Sequence, residues 1–140
     1  MIRHQLEEAR RDLDRALNYP CEKISLLYLD DEGSNTRSFK SLWRRSFNVY
    51  TANNCIDAER IIRESKIDLI IADQRMPDML GVDFIEKIKK DFPHIRSIIY
   101  TANEQLVDKE KIFELNTAVF SKPLSDFRMF NIINGKYDLI

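Results

Sequence analysis

The 140-residue sequence predicts an α/β fold with five parallel strands in one sheet and helices on both of its faces. Three observations support this prediction. Five short runs rich in Ile, Leu and Val are typical of strands that are buried on both faces. Segments with one-sided apolar spacing, typical of helices, separate these runs, and this alternation favours parallel strands joined by right-handed crossovers. The length suits one domain with a core of its own but not two domains of ordinary size.

The strands and helices can be placed in chain order from these patterns. The strands are predicted at about 24 to 29, 47 to 51, 68 to 73, 97 to 101 and 118 to 121. The helices are predicted at about 35 to 46, 55 to 65, 82 to 91, 104 to 115 and 125 to 134. Two of the helices have clear apolar faces, formed by Phe39, Leu42 and Trp43 and by Val82, Ile85 and Ile88. The expected strand order is 2-1-3-4-5, which is the flavodoxin-like, doubly wound arrangement.

An additional helix is predicted before this domain, over Met1 to Tyr19, because Pro20 disfavours helix at the residue before it. Five apolar residues recur at alternating spacings of four and three, as in a heptad seam: Ile2, Leu6, Ala9, Leu13 and Ala16. Such a seam favours pairing in a dimer or connection to an upstream domain. The alternative is a solvated helix that docks on its own domain or frays. The chain thus divides into an N-terminal helix (1–20), the main domain (21–135) and a C-terminal tail (136–140).

Four of the predicted strands end on residues suited to phosphoryl chemistry. Asp30 and Asp31 follow the first strand, Asp73 the third, Thr101 the fourth and Lys122 the fifth. The carboxyl ends of neighbouring parallel strands meet in one crevice, so we expect these side chains to form one site. Three carboxylates in one site need a cation, and Mg²⁺ prefers such oxygen ligands. The hydroxyl and the ammonium group suit phosphoryl oxygens, and an aspartate can accept a phosphoryl group.

The surroundings of Asp73 make a family resemblance specific. The segment Leu69 to Gly81 reads LIIADQRMPDMLG, and the other strand ends carry Asp30-Asp31-Glu32, Thr101-Ala102 and Lys122-Pro123. Together these motifs resemble the receiver domain of bacterial two-component response regulators, over about residues 23 to 134. The alternative is that each acid is an ordinary turn residue, since Asp is favoured just after strands.

The resemblance implies a role for each matching residue. Asp73 would be the phosphoacceptor, Asp31 a direct Mg²⁺ ligand, Asp30 a ligand mostly through water, and Arg75 a ligand through its backbone carbonyl. The phosphoryl oxygens would be held by Thr101, the Ala102 amide and Lys122. Two positions, Arg75 and Asn103, would tune the lifetime of the phosphoryl group, and we expect Arg75 to shield it.

The resemblance also implies a function. A sensor histidine kinase or a phosphotransfer protein would phosphorylate Asp73 in a magnesium-dependent reaction. The phosphoryl group would then change a partner-binding face formed by the fourth helix, fifth strand and fifth helix of the domain, through which an unidentified output partner or effector domain would bind. The chain is not expected to be an enzyme beyond its own phosphorylation and dephosphorylation. A homodimer could form through that face or through the N-terminal helix.

The chain departs from the family pattern at two places. Val119 stands where most relatives have Tyr or Phe, three residues before the lysine, and Phe120 is one position out of phase. In a strand that offset points Phe120 to the opposite face, so the usual aromatic switch is in doubt. The other departure is Asn116-Thr117, where many relatives have Gly before the last strand. Asn tolerates the left-handed backbone conformation at a helix end.

Two other functions stay open at this point. A haloacid-dehalogenase-like phosphatase also uses an aspartate nucleophile and Mg²⁺, but its first-strand motif is Asp-x-Asp, whereas this chain has adjacent Asp30 and Asp31. A phosphorylation-independent interaction module on the same fold is the other alternative, because Val119 weakens the usual relay.

The composition of the chain indicates which kinds of binding partner and which cellular location to expect. The net charge of −1 gives no strong field for nucleic acid or a membrane surface, and the basic stretch Arg37 to Arg45 is interpreted as the solvated face of a helix. No apolar stretch approaches the roughly 20 residues that cross a bilayer, and we expect a cytoplasmic protein. The isolated residues Cys21, Cys55, His4 and His94 predict neither a disulfide nor a metal site.

Overall fold

The computed structural model describes residues 2–9 and 23–136. Its elements, in chain order, are α1 (residues 2–9), β1 (Ser25–Leu29), α2 (Gly33–Trp43), β2 (Asn48–Ala52), α3 (Cys55–Glu64), β3 (Leu69–Ala72), α4 (Gly81–Asp91), β4 (Arg96–Thr101), a short 3-10 helix (Glu104–Leu106), α5 (Lys109–Glu114), β5 (Ala118–Ser121) and α6 (Asp126–Ile133). Each strand lies within one residue of its predicted bounds at both ends. The predicted positions Leu13, Ala16 and Cys21, and most of the predicted tail, lie outside the described residues.

All five strands are parallel and follow the order β2-β1-β3-β4-β5, which confirms the predicted doubly wound sheet. The register brings the carboxyl ends of the strands level with one another. Leu29 of β1 lies opposite Ala52 of β2 and Ala72 of β3, and Thr101 of β4 lies opposite Ser121 of β5. The residues that come after these positions therefore emerge at one edge of the sheet.

The sheet separates two apolar layers. On the α3–α5 side, buried residues of α3 and α4 pack with Leu27, Ile70 and Ile99 of the strands, and Ile112 of α5 packs against them. On the α2–α6 side, buried residues of α2 and α6 pack with Leu26 and Ile71. Because alternate strand residues enter opposite layers, the strands are buried on both faces, as their continuous apolar runs predict.

Two details of the predicted helices were wrong. Leu42 does not belong to the apolar face of α2, since it is 53% exposed while Phe39 and Trp43 are buried. The helix predicted at 104 to 115 is two helices, a 3-10 helix and α5, separated by extended backbone at Val107. Asp108 starts the second helix as its N-cap, because its side chain accepts hydrogen bonds from the backbone N–H groups of residues 110 and 111.

Both departures from the family pattern behave as the sequence predicts. Asn116 adopts the left-handed conformation with φ of 50° just after α5. Val119 packs on the α3–α5 side and Phe120 on the α2–α6 side, so the aromatic ring does lie on the opposite face.

Two predictions about the helix faces are also confirmed. Val82, Ile85 and Ile88 are buried, and the basic residues between Arg37 and Arg45 are exposed. None of the described helices is long and apolar enough to cross a membrane.

The loop between β3 and α4 passes so close to Asp73 that only glycine fits at its end. The first residue of α4, Gly81, donates its N–H to the backbone carbonyl of Gln74 at 2.9 Å. A Cβ atom at Gly81 would lie 2.1 Å from the carbonyl oxygen of Asp73 and 3.1 Å from Ile99. A side chain would therefore push α4 away from the end of β3.

We predict that Gly81→Ala lowers the free energy of unfolding by about 2 to 4 kcal/mol, because the backbone itself must move. Gly33→Ala is the matched control at the first residue of α2. There the added Cβ would meet only the mobile end of the Arg37 side chain, at 2.9 Å, so we expect a change within about 1 kcal/mol. Urea unfolding of the two variants measures the difference, and equal losses would contradict it.

Candidate functional site

Asp30 is the buried anchor of the acidic group at the edge of the sheet. It directly follows β1, and its side chain is 1% exposed. Its carboxylate accepts hydrogen bonds from the Glu32 N–H at 3.0 Å, from the Asn35 amide at 3.1 Å and from the Lys122 ammonium at 2.7 Å. Burial alone would raise the pKa of Asp30, but the bonds from Lys122 and Glu32 outweigh burial and lower the pKa below its usual value. Asp30 is therefore held as a carboxylate.

Lys122 reaches across the sheet edge from the end of β5. Its backbone N–H donates to the carbonyl of Thr101 at 2.9 Å, which continues the pairing of β4 with β5. Its ammonium group contacts Asp30 at 2.7 Å and Asp73 at 3.3 Å. Burial by itself lowers the pKa of Lys122, yet the two carboxylates outweigh burial and raise it. Lys122 is thus a fixed positive charge between two acids.

Asp73 is the acid that is both fixed and accessible. Its backbone N–H bonds to the carbonyl of Leu29 at 2.9 Å, and one carboxylate oxygen accepts the Gln74 N–H at 2.7 Å. The other carboxylate oxygen faces Lys122, and the side chain is half-buried. Asp31 beside it is exposed. One carboxylate oxygen from each of Asp30, Asp31 and Asp73 lies within 4.8 Å of the others.

Asp73 opens into a cavity of about 440 Å³ at the carboxyl ends of the strands. The cavity is lined by Asp31, Glu32, Asn35, Asp73, Arg75, Met76, Pro77, Ala102, Asn103 and Lys122. Thr101 is buried beside it, and its hydroxyl accepts the Asn103 N–H at 3.0 Å. The structure thus brings together the residues that the sequence analysis assigned to metal binding, phosphoryl binding and tuning. Val119 alone lies away from the edge, in the layer on the α3–α5 side.

Sequence reasoning missed three side chains that hold the site together. Asn35 bonds Asp30 and lines the cavity, and the Tyr28 hydroxyl approaches Asp30 at 3.4 Å. Gln74 is buried next to Asp73. A local signal exists for Asn35, since it lies in the first turn of α2 and only five residues after Asp30. The role of Gln74 depends on its contact with Leu106, which is 32 residues away and leaves no local signal. Tyr28 is only two residues from Asp30, but in the sequence it is one of several large apolar residues of β1.

The net charge of the three carboxylates and Lys122 favours binding of a cation. Three carboxylates face one ammonium group, so two negative charges among these four side chains are not balanced by Lys122. A divalent cation with a preference for oxygen ligands would balance them, which fits Mg²⁺. A carboxylate beside a cation, in an open cavity, can also act as a nucleophile toward phosphorus.

Comparison with known proteins agrees with this geometry. The response regulator receiver domain family matches residues 26–134. A solved structure described as a response regulator receiver domain protein from Clostridium thermocellum superposes with a TM-score of 0.74 and 28% identity, over 81% of this chain and 93% of that one.

Two curated relatives are transcriptional regulators. The hydrogenase transcriptional regulatory protein HoxA of Bradyrhizobium diazoefficiens is 30% identical over 86 residues, and the DNA-binding transcriptional regulator NtrC of Azospirillum brasilense is 35% identical over 85 residues. These matches cover 59% and 61% of this chain but 18% of each relative, so the chain spans less than a fifth of their length. With the family match covering most of the sequence and the sheet order, register and acidic edge in agreement with it, the chain belongs to the response regulator receiver domain family.

Proposed function

We propose that the chain is a signalling switch that accepts a phosphoryl group on Asp73 from a histidine kinase or a phosphotransfer protein. The observation that carries the proposal is the position of Asp73. Its carboxylate is oriented by the Gln74 N–H and by Lys122, and it opens into the cavity. Asp30 has a different position, since it is almost fully buried and does not line the cavity. This difference argues against Asp30 as the nucleophile of a haloacid-dehalogenase-like enzyme. The neighbouring Asp31 is exposed and lines the cavity, so the argument against that class rests on the adjacent acids, Asp30-Asp31 in place of Asp-x-Asp.

The transfer step is a displacement at phosphorus. An oxygen of the Asp73 carboxylate forms a bond to the phosphorus of a phosphohistidine, and the P–N bond breaks. The electron pair of that bond stays on the imidazole nitrogen of the donor, which takes up a proton. The Lys122 ammonium lies 3.3 Å from Asp73 and would hold an oxygen of the transferred group. Thr101 and the Ala102 amide would hold the others.

Magnesium is part of the proposal. Asp30, Asp31, Asp73 and the backbone carbonyl of Arg75 would hold the ion, which when bound supplies positive charge that offsets the charge on the phosphoryl oxygens. Asp31 is the better direct ligand because it is exposed and lines the cavity. Asp30 already accepts hydrogen bonds from Lys122, Asn35 and Glu32, so its oxygens are engaged.

We predict that Asp31→Asn weakens Mg²⁺ binding more than Asp30→Asn. Loss of a direct carboxylate ligand should reduce affinity by at least about tenfold, and loss of a ligand acting through water should reduce it less. Calorimetric titration of both variants with Mg²⁺ measures the difference. Equal losses would remove the distinction between the two acids.

The proposed output face consists of α5, β5 and α6. Two large apolar side chains on it are unusually exposed, Phe113 of α5 at 86% and Phe127 of α6 at 78%. Exposed aromatic residues of this kind favour contact with another protein. This face is therefore the proposed surface for an output partner or a second copy of the chain. Dimerisation through α1 also stays a prediction, although Ile2 and Leu6 are both exposed.

Arg75 and Asn103 are the two residues proposed to tune the lifetime of the phosphoryl group. Arg75 is exposed and both it and Asn103 line the cavity, which supports their predicted role in tuning the lifetime of the phosphoryl group. The family match at 26–134 falls inside the predicted domain 21–135, and the division of the chain into three parts stays a prediction. A cytoplasmic location belongs to the same proposal.

Phosphorylation is tested most simply with a small-molecule donor. We predict that the unmodified chain gains the mass of one phosphoryl group with acetyl phosphate and Mg²⁺, and that Asp73→Asn does not. Asp78→Asn is the matched control, because it removes the same charge from the β3–α4 loop at a residue that does not line the cavity. Intact-mass spectrometry measures the three proteins.

Two outcomes would contradict the assignment. Retention of the mass increase in Asp73→Asn would mean that another residue is the acceptor. No increase in the unmodified chain, with or without Mg²⁺, would favour the phosphorylation-independent interaction module.

A further inference from the structure

Gln74, the residue after Asp73, has a polar side chain that is completely buried, with 0% exposure. Its amide makes hydrogen bonds on both sides. The side-chain oxygen accepts the backbone N–H of Val82 in the first turn of α4 at 3.0 Å, and the side-chain nitrogen donates to the carbonyl of Leu106 at 3.5 Å. A buried amide must be paired to offset its lost hydration. The bond to Val82 has ordinary length, whereas the bond to Leu106 is long and is therefore the weaker of the two.

These bonds form part of a continuous path of contacts that runs from the acid to the hydroxyl of the proposed site. From Asp73 the path runs to Gln74, whose side chain reaches Leu106 at the end of the 3-10 helix. The Leu106 N–H donates to the carbonyl of Asn103 at 3.0 Å, and the Asn103 N–H donates to the hydroxyl of Thr101 at 3.0 Å. Gln74 is thus the link between the end of β3 and the far end of the 102–107 segment.

The path links the site to the proposed output face. If the Thr101 hydroxyl turns toward a phosphoryl oxygen, the Asn103 N–H must follow it or lose its acceptor, and the segment that carries Leu106 moves with it. The 102–107 segment leads directly into α5, which belongs to the output face. No aromatic ring of β5 lies on the α3–α5 side to report this movement, since Val119 packs there and Phe120 packs opposite.

We infer that Gln74 is a positioning residue that holds the 102–107 segment in its unphosphorylated arrangement through the bond to Leu106, and that phosphorylation of Asp73 releases this bond. The inference rests on the proposed function, because phosphorylation is the event that moves Thr101. The bond to Val82 stays in place and keeps Gln74 fixed to α4, so the movement is confined to the 102–107 segment and α5.

A pair of matched variants tests the inference. Gln74→Met removes both amide bonds and keeps a side chain of similar length, while Gln105→Met makes the same change at an exposed position of the same segment. Hydrogen exchange of the Leu106 and Val107 amides is measured with Mg²⁺, with and without trifluoroberyllate as a phosphoryl mimic. Without the mimic, we expect exchange about three- to tenfold faster in Gln74→Met than in the unmodified chain, as for loss of one hydrogen bond. Gln105→Met should match the unmodified chain.

The response to the mimic distinguishes a positioning role of Gln74 from a purely stabilising one. In the unmodified chain the mimic should change the exchange of both amides, and in Gln74→Met this change should be largely lost although the mimic still binds. Unaltered exchange in Gln74→Met in both states would overturn the inference. It would leave the proposed function intact, because binding of the mimic is measured separately.

A measurement on the unmodified chain decides the matter if Gln74→Met does not fold. The sequence has three glutamines, Gln5, Gln74 and Gln105, so glutamine-selective ¹⁵N labelling gives three side-chain amide signals. The Gln74 signal should exchange more slowly than the other two and should shift when trifluoroberyllate binds. A Gln74 signal that stays constant on binding overturns the inference alone. Failure of the mimic to bind overturns the proposed function and, with it, the inference.

Discussion

The contact of the Lys122 ammonium with both Asp30 and Asp73 is the interaction on which the rest of the site depends. It joins the ends of β1, β3 and β5, three strands that are far apart in sequence. Without it, three carboxylates within a few ångströms of one another would repel, and the pKa of Asp30 would rise with its burial. The lysine offsets only part of the negative charge, so the edge of the sheet stays able to attract a divalent cation. The same contact leaves Asp73 facing the cavity, while Asp30 is held beneath it.

Much of the fold could be predicted because it depends on local patterns. Runs such as Leu69 to Ala72 are apolar without interruption, and only a strand buried on both faces suits a run that short. One error arose where tertiary contacts decide. Leu42 has the spacing of a core residue, but the layer on the α2–α6 side is filled by Phe39 and Trp43 together with residues of α6. The break before α5 did have a local signal, since it depends on the capping bonds of Asp108 and Asp is favoured at helix N-caps.

The candidate site was predictable to the extent that its residues follow strand ends. Asp30, Asp31, Asp73, Thr101 and Lys122 all follow or close a strand, and parallel topology brings such residues together. The supporting contacts were not predictable in the same way. Gln74 bonds to Leu106, which is 32 residues away, and the close approach of Gly81 to Asp73 depends on the path of a loop. Sequence spacing carries no information about such pairs.

The most direct test of the central role of Lys122 is the Mg²⁺ affinity of Lys122→Met, measured by calorimetric titration against the unmodified chain. Methionine keeps much of the side-chain length but has no charge, so oxygens of Asp30 and Asp73 lose their ammonium partner and a repulsive cation is removed from the proposed metal site. We predict that Lys122→Met binds Mg²⁺ about tenfold more tightly, as expected for removal of one positive charge at close range. Unchanged or weaker Mg²⁺ binding would contradict it, since Lys122 would then not be the cation that balances these acids.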